Sequence, residues 1–481
     1  MRSRRSSSLP ALALTLVCTL WTPAAGQDPP RLFQPMDVFG IELAADPQIS
    51  PAGRRVVYIR TGSDITSDAP TTNLWMVRVD GSDHRPLTSG DAAHGSPRWS
   101  PEGDRLLYVS SRDGASEIRV RWMDTGQEAR VADLPETPGG PIWSPDGETI
   151  AFTMFVPDDR TPLDVEMPEP PEGADWGPPI RVIDKMNYRA DGNPGFVRDG
   201  NVHVFVVPAH GGTPRQITHG PYDHTSPAWW PDGTSLVLSA NRRSDADREP
   251  SDTEVYRVDL ATGRLSQLTH RYGPDDSPHP SPSGELIAYI GYDDELQGYQ
   301  TTELYVMGPD GSDPRLLSGD FDRGIGSIAW AADESGLFFS YDDEGNGKIG
   351  FMGLEGEVEV RAVDVQGLST GRPYSGGQFS PARSGHLAFT YGTPHQPAEV
   401  AVTHGNPGES RQLTDLNGDL LGHMALGEVE EIWYESSFDG RRIQGWIVKP
   451  PVFDPSSRYP LILEIHGGPF ANYGDRFSAE V

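Results

Sequence analysis

The chain has 481 residues, of which 70 are acidic and 39 are basic, so its formal net charge is −31. A charge of this sign and size argues against binding to nucleic acid or to anionic lipid. The single cysteine, Cys18, lies close to the N-terminus. The remainder of the chain therefore cannot form a disulfide or use a thiol as a nucleophile.

Residues 1–26 predict a secretory signal peptide, with a basic start at residues 2–5. The apolar run over residues 9–21 is short for a membrane-spanning helix, and Ala24-Ala25-Gly26 supplies small residues for cleavage. An uncleaved membrane anchor is the alternative interpretation. The signal peptide predicts a bacterial protein that is exported, either periplasmic or secreted, with no membrane attachment after cleavage.

A short turn motif recurs along most of the chain. Its clearest copy is Trp143-Ser144-Pro145-Asp146-Gly147, which places Ser, Pro and Gly at the first, second and fourth positions of a type I turn. The central positions of the seven copies are 51, 101, 145, 231, 282, 332 and 381. A near-constant period of about 40–50 residues in a strand-rich chain indicates a propeller or a repeat array.

Each repeat contains about four short strand-like runs, which is the content of one propeller blade. The sequence therefore predicts an all-β fold, a seven-bladed β-propeller over residues 46–427. A segment at residues 27–45, with a short helix, precedes it. The tryptophans at the heads of the repeats are interpreted as packing between blades, because large aromatic side chains are usually buried.

Residues 157–200 interrupt the repeat and are rich in Pro, Asp and Glu at their start. They predict an insertion within one blade. A functional loop and a plain solvent-exposed loop are both compatible with this composition.

Several patterns resemble functional sites but lack the required context. Residues 367–371 match a G-x-S-x-G nucleophile motif around Ser369, yet a turn follows instead of a helix, so the match is interpreted as chance. Residues 342–347 resemble the start of a calcium loop, but Gly353 stands where a bidentate Glu is needed. This stretch is interpreted as a hairpin tip.

Other polar side chains are assigned no catalytic or ligand role. His219, His224, His270 and His279 lack metal-ligand spacing and are interpreted as solvated loop histidines. Glu430 and Glu431 are adjacent on a predicted strand and would point to opposite faces. No metal and no cofactor are predicted.

The last segment, residues 428–481, has a different character. Residues 430–438 and 443–450 predict two strands joined by a turn at Asp439-Gly440. An apolar run at residues 461–465 fits a buried strand, and it would be partly exposed wherever its neighbouring strands are missing. The run ends in His466-Gly467-Gly468-Pro469, where a glycine pair allows backbone N–H groups to approach a ligand.

These motifs together resemble the prolyl oligopeptidase-family serine peptidases, nearest to the acylaminoacyl-peptidase and dipeptidyl-aminopeptidase-like branch. The resemblance covers nearly everything after residue 26. It rests on the turn repeats and on this ordered set: Tyr188-Arg189-Ala190-Asp191-Gly192, Ser437-Phe438-Asp439-Gly440, Gly445-Trp446, Pro450, Tyr459-Pro460 and His466-Gly467-Gly468-Pro469.

The resemblance implies that residues 428–481 open an α/β-hydrolase domain in which His466, Gly467 and Gly468 belong to the oxyanion region. It implies a serine peptidase that releases aminoacyl, acylaminoacyl or dipeptidyl units from short peptides, with the propeller capping the site. The family places its catalytic Ser, Asp and His beyond position 481. This chain is therefore expected to be a fragment truncated early in the hydrolase domain, without the triad and inactive alone.

The alternative function is a TolB-like periplasmic propeller that binds a protein or another ligand. Such a module would share the signal peptide and the repeats but would not need the motifs between residues 437 and 469. The sequence decides neither the preferred substrate residue nor endo- versus exopeptidase action. It also leaves open a free or acylated substrate N-terminus and the oligomeric state.

Overall fold

The computed structural model describes residues 31–158, 168–177, 181–190, 195–367, 370–374, 376–405, 407–468 and 470–480. The predicted signal peptide, Ser369 and Pro469 lie outside these ranges. No helix in the described part of the chain is both long and apolar enough to cross a membrane.

Seven four-stranded antiparallel sheets follow one another along the chain, which confirms the predicted seven-bladed propeller. Within each sheet the strands pair in sequence order, and the sheets are numbered here as blades 1 to 7. From blade 1 to blade 7 the strands are Leu43–Ile49, Arg55–Asp64, Ala69–Arg78 and Arg85–Pro86; Ala93–Trp99, Arg105–Arg112, Ala115–Trp122 and Glu128–Leu134; Gly139–Trp143, Thr149–Pro157, Gly200–Pro208 and Arg215–Gln216; Thr225–Trp229, Ser235–Ala240, Glu254–Asp259 and Leu265–Gln267; Asp275–Pro280, Ile287–Gly291, Glu303–Met307 and Arg315–Leu316; Ile328–Trp330, Gly336–Asp343, Asn346–Gly353 and Val358–Ala362; and Phe379–Pro381, Leu387–Thr393, Gln396–Thr403 and Arg411–Gln412.

The repeated motif forms the turn between the first and second strands of a blade. In blade 3 the Gly147 N–H donates to the Ser144 carbonyl at 2.9 Å, and the Ser144 hydroxyl accepts the Thr149 N–H at 2.9 Å. Gly147 has a φ of 70°, a conformation that favours glycine. The sequence motif thus encodes a closed turn whose serine satisfies a backbone donor.

A second repeat, which the sequence analysis missed, lies on the first strand of five blades. One residue there has a φ between 45° and 52°, and the strand register shifts beside it, as at a β-bulge. Each of these residues precedes a proline, a position that disfavours the right-handed helical region. They are Asp46, Ser96, Gly140, Ser226 and Ser277.

The tryptophans at the heads of the repeats link neighbouring blades. The Trp143 indole donates to the Arg98 carbonyl of blade 2 at 3.0 Å, and the Trp99 indole donates to the Gln48 carbonyl of blade 1 at 2.9 Å. Trp330 of blade 6 bonds the His279 carbonyl of blade 5 at 2.8 Å in the same way. Buried aliphatic and aromatic side chains fill the space between adjacent sheets. The interblade role predicted for these tryptophans agrees with this geometry.

Blades 1 and 7 are each built from four strands that are consecutive in the chain. No blade therefore combines strands from both ends of the propeller, and side-chain contacts close the ring. The Ile49 N–H donates to the Ser380 hydroxyl, which in turn donates to the Pro47 carbonyl. Outside the blades, Arg31–Leu32 pairs in parallel with Met424–Ala425. The buried Asn417 side chain bonds both the N–H and the carbonyl of Glu42.

The short helical elements are Pro35–Gly40 and Pro407–Glu409, both 3₁₀, and the α-helix Gly418–Leu421.

The C-terminal segment contains the expected hairpin, Val429–Glu435 paired with Arg442–Val448. Residues 459–465 form no strand, which corrects the prediction of a buried strand there. Leu461 and Ile462 are 90% and 88% exposed. The physical reason is that no described strand lies beside this run, so its backbone has no ladder to join and its apolar side chains have no cover.

Candidate functional site

Connections between antiparallel strands alternate between the two faces of the ring. The connections from second to third strands, and those from one blade to the next, lie on the same face, called here the upper face. The repeated turns lie on the opposite face. The insertion predicted at residues 157–200 joins the second and third strands of blade 3, which places it on the upper face.

The C-terminal segment, residues 429–480, contacts the upper face at blades 6 and 7. The Gln444 amide donates to the Glu344 carbonyl at 2.8 Å, and the Asn346 amide donates to the Asp475 carboxylate at 3.2 Å. The Ala479 N–H donates to the Thr370 carbonyl at 2.8 Å. The segment therefore shares a face with the blade 3 insertion.

Arg476 anchors this contact. Its side chain is 2% exposed and bonds the Asp342 carboxylate at 2.6 Å. The next residue, Phe477, is buried against Ile41 and Met424. Burial also raises the pKa of the neighbouring Asp475 carboxyl above its usual range. The tip of the blade 6 hairpin is thus a docking point rather than a calcium loop, and its turn at Glu344 and Gly345 confirms the hairpin prediction.

The sequence-predicted oxyanion residues are His466, Gly467 and Gly468, called here the H-G-G loop. They lie against the connection between blades 6 and 7. The Gly467 N–H donates to the Tyr374 hydroxyl at 3.0 Å. The Tyr374 ring packs edge-on against Tyr473, which also meets the His466 ring. A Cβ on residue 467 would stand 3.2 Å from the Tyr374 oxygen, so a glycine permits this close approach.

Phe470 holds the other side of this loop. Its ring stacks on Tyr299 with centroids 5.9 Å apart, in the connection between the second and third strands of blade 5. The loop and the residue that flanks it thus contact two propeller tyrosines. It presents a backbone N–H to an oxygen atom, which is the type of donor that stabilises an oxyanion.

A complete catalytic triad is not assembled among the described residues: no described histidine bonds both a serine hydroxyl and a carboxylate. Ser384 and His386 form one hydroxyl–imidazole pair at 3.0 Å, on a blade 7 turn of the opposite face. Ser369 of the G-x-S-x-G match lies outside the described residues. Its described neighbours, 363–367 and 370–374, form isolated bridges instead of the strand and helix of a nucleophile elbow.

The prediction that His224 is a solvated loop histidine is wrong. This side chain is fully buried, and its ring lies 5.3 Å from that of His203. Burial, with the Arg242 guanidinium beside it, lowers the pKa of His224 to about 3, so it is neutral at physiological pH. His219 and His270 are exposed as expected, whereas His279 lies on the strand Asp275–Pro280 and is half-buried, so the prediction is also wrong for His279. Over the described ranges, no group of three or more His, Cys, Asp or Glu side chains is placed to hold a metal ion.

Glu430 and Glu431 point to opposite sides of their strand, as predicted. Glu430 pairs with Lys449 at 2.8 Å, whereas Glu431 accepts the Trp433 indole and the Gln444 amide. Sequence reasoning missed Tyr374, Tyr299 and Arg476. These residues belong to no sequence motif. Only the tertiary structure brings them into contact with the H-G-G loop or with the residues that flank it.

Comparison with known proteins agrees with this architecture. The TolB beta propeller domain family matches residues 52–161. The uncharacterized peptidase YuxL of Bacillus subtilis is 27% identical over 94% of this chain and 68% of its own length. Dipeptidyl-peptidase 5 of Porphyromonas gingivalis is 23% identical over 93% of this chain and 65% of its own length. The chain thus spans about two thirds of each relative.

The acylaminoacyl peptidase of Pyrococcus horikoshii has the same fold over 92% of this chain and 63% of its own, with a TM-score of 0.69 and 19% identity. Fold and site define a seven-bladed propeller that carries an H-G-G segment on its upper face. The relatives, matched along nearly the whole chain, confirm the resemblance to the prolyl oligopeptidase family of peptidases.

Proposed function

We propose that this chain is the propeller and the opening hydrolase segment of an exported serine-type peptidase. Its substrates are short peptides, from which it releases aminoacyl, acylaminoacyl or dipeptidyl units. One observation carries the proposal: the H-G-G loop lies on the upper face of the propeller, where Gly467 bonds Tyr374 and the flanking Phe470 stacks on Tyr299. A peptide bound there would have the propeller on one side and the hydrolase segment on the other.

The chemistry assigned to this site is acyl transfer. A serine oxygen would attack the scissile carbonyl with a histidine as base, and backbone N–H groups near Gly467 would hold the oxyanion. No complete triad is assembled among the described residues, so this chain is assigned only the oxyanion part of that chemistry. The TolB-like binding module is the weaker candidate, because the TolB match covers residues 52–161 and leaves the H-G-G segment without a role.

A fluorophosphonate probe tests the proposal. The 481-residue chain should remain unlabelled and should hydrolyse no aminoacyl, acylaminoacyl or dipeptidyl chromogenic substrate above background, because a hydrolase that lacks its triad retains little activity. The product of the reading frame extended past codon 481 should carry a G-x-S-x-G elbow and be labelled. Labelling of the 481-residue chain that is lost in Ser369→Ala would contradict the proposal.

A further inference from the structure

Three cations stand close together on the blade 3 insertion of this acidic chain. Arg181, Lys185 and Arg189 occur within nine residues. None of the three has a carboxylate within ion-pair distance among the residues that the structure describes. The chain's other two lysines are paired, Lys348 with Asp343 at 2.7 Å and Lys449 with Glu430 at 2.8 Å. These three side chains are called the cation cluster.

The two arginines contact the same aromatic ring. The Arg181 and Arg189 guanidinium carbons lie 4.5 and 4.8 Å from the centroid of Phe196. The nearby Arg198 differs, because both of its terminal nitrogens bond the Glu136 carboxylate. Like charges held near one another repel, and an anion placed between them removes that repulsion.

The insertion is fixed to the propeller at this point. The Met186 N–H donates to the Asp247 carboxylate of blade 4 at 2.8 Å, and the Val197 N–H donates to the Tyr188 carbonyl at 2.9 Å. The cation cluster is therefore presented by a chain segment with defined contacts. It lies on the upper face, which also carries the H-G-G loop.

The surroundings indicate the chemical class of the ligand. Val182, Ile183 and Tyr188 are 43%, 51% and 47% exposed and line the same recess as Arg181 and Lys185. Asp184 and Asp199 also line it, which disfavours a multiply charged anion such as phosphate. A single carboxylate attached to an apolar peptide fits this combination, since guanidinium groups bind carboxylates in a planar, two-pronged geometry.

We propose that Arg181, Lys185 and Arg189 bind the carboxylate of peptide substrates on the upper face. The α-carboxylate at the C-terminus and an acidic side chain share this chemistry. The inference rests on the proposed function, because it assigns part of the substrate contact to the propeller. It adds a preference for short peptides that carry a free carboxylate. Neutral peptide amides of the same sequence lack this group and should bind less tightly.

Fluorescence anisotropy of labelled pentapeptides with the 481-residue chain tests the inference, and binding needs no catalysis. The peptide acid should bind at least fivefold more tightly than its C-terminal amide, and this difference should shrink at high salt. A C-terminally amidated peptide with one Glu side chain should bind as tightly as the peptide acid if the site accepts any carboxylate. If only the C-terminal acid binds tightly, the site reads the α-carboxylate, which also supports the inference.

Arg181→Gln combined with Arg189→Gln should bring acid and amide to equal affinity. Arg248→Gln, an exposed arginine on the neighbouring blade 4 connection, is the matched control and should change nothing. Circular dichroism and thermal unfolding verify that each variant is folded. Equal affinity of acid and amide for the unmodified chain, or an unchanged preference in the double variant, would overturn the inference. Failure of fluorophosphonate labelling in the extended product would instead overturn the proposed function and leave carboxylate binding standing.

Discussion

At the scale of single residues, the repeated tryptophans do more than fill space. The Trp143 indole satisfies a carbonyl of blade 2, and its ring lies 4.8 Å from the Arg105 guanidinium carbon. Residues of this kind connect a local turn motif to the assembly of the ring, because the side chain belongs to one blade and donates to a carbonyl of the preceding blade.

Trp143→Phe should lower the free energy of unfolding by about 1–2 kcal/mol, since it removes an interblade hydrogen bond and leaves the Arg98 carbonyl without its donor. Urea unfolding followed by circular dichroism measures the change. Trp176→Phe, at a 48% exposed side chain in the insertion, is the control and should have almost no effect. Equal losses in the two variants would contradict the interblade role.

Glu399 is a buried acid with an unusual protonation equilibrium. It is fully buried, and its carboxyl accepts the Thr414 hydroxyl and the Leu416 N–H. Burial raises the pKa of Glu399 to about 7, well above its value in an unfolded chain. The folded state therefore binds the proton more tightly, and this contribution to stability is lost as the pH rises through 7.

Glu399→Gln should remove that pH dependence. Between pH 5.5 and 8 the unmodified chain should lose up to about 2 kcal/mol of stability relative to the variant. Urea unfolding of both proteins at the two pH values gives the difference. A difference that is independent of pH would show that Glu399 does not titrate in this range.

At the scale of elements, the blades are regular, whereas the C-terminal segment depends on a few anchors. The hairpin Val429–Glu435 and Arg442–Val448 is local, but residues 474–480 are held by Arg476, Phe477 and backbone bonds to the connection between blades 6 and 7. This docking keeps the H-G-G loop on the upper face.

Arg476→Gln should release residues 470–480 from the propeller, because it breaks a buried ion pair and leaves the Asp342 carboxylate uncompensated. Hydrogen exchange at the Ala479 amide should accelerate at least tenfold, while the blade strands keep their protection. Arg458→Gln, at an exposed position in the same segment, serves as the comparison. Unchanged exchange at Ala479 would show that other contacts hold the segment.

At the scale of the whole molecule, the ring is closed without a shared blade. Contacts between blades 1 and 7 therefore link the two ends of the propeller, together with contacts outside the blades such as the pair Arg31–Leu32 and Met424–Ala425. Asn417 bonds the Glu42 backbone with both amide atoms and so imitates a pair of strand hydrogen bonds across this closure.

Asn417→Ala should cost about 2 kcal/mol of stability, because it leaves one N–H and one carbonyl of Glu42 without partners. Thermal and urea unfolding of the variant should shift accordingly. Asn472→Ala, at an exposed asparagine outside the closure, should not shift either transition. A loss confined to Asn472→Ala, or none in Asn417→Ala, would contradict the assigned role.

The sequence by itself determined the propeller, its seven blades, the position of the insertion and the hairpin near residue 440. Each of these follows from local rules, since a turn motif with a steady period needs no knowledge of distant residues. The bulge repeat was also present in the sequence, as a small residue before proline on each of five first strands, and a search for a second period would have found it.

Only the tertiary structure decided which side chains meet the H-G-G loop. Tyr374 and Tyr299 stand 93 and 168 residues before Gly467 along the chain, and no periodicity relates such positions. The burial of His224 was equally hidden, because it depends on whether neighbouring elements cover the side chain, whereas the exposure of residues 461–465 was expected wherever their neighbouring strands are missing. Local sequence determines where strands and turns form, but contacts between distant segments depend on how the blades stack and where the last segment docks.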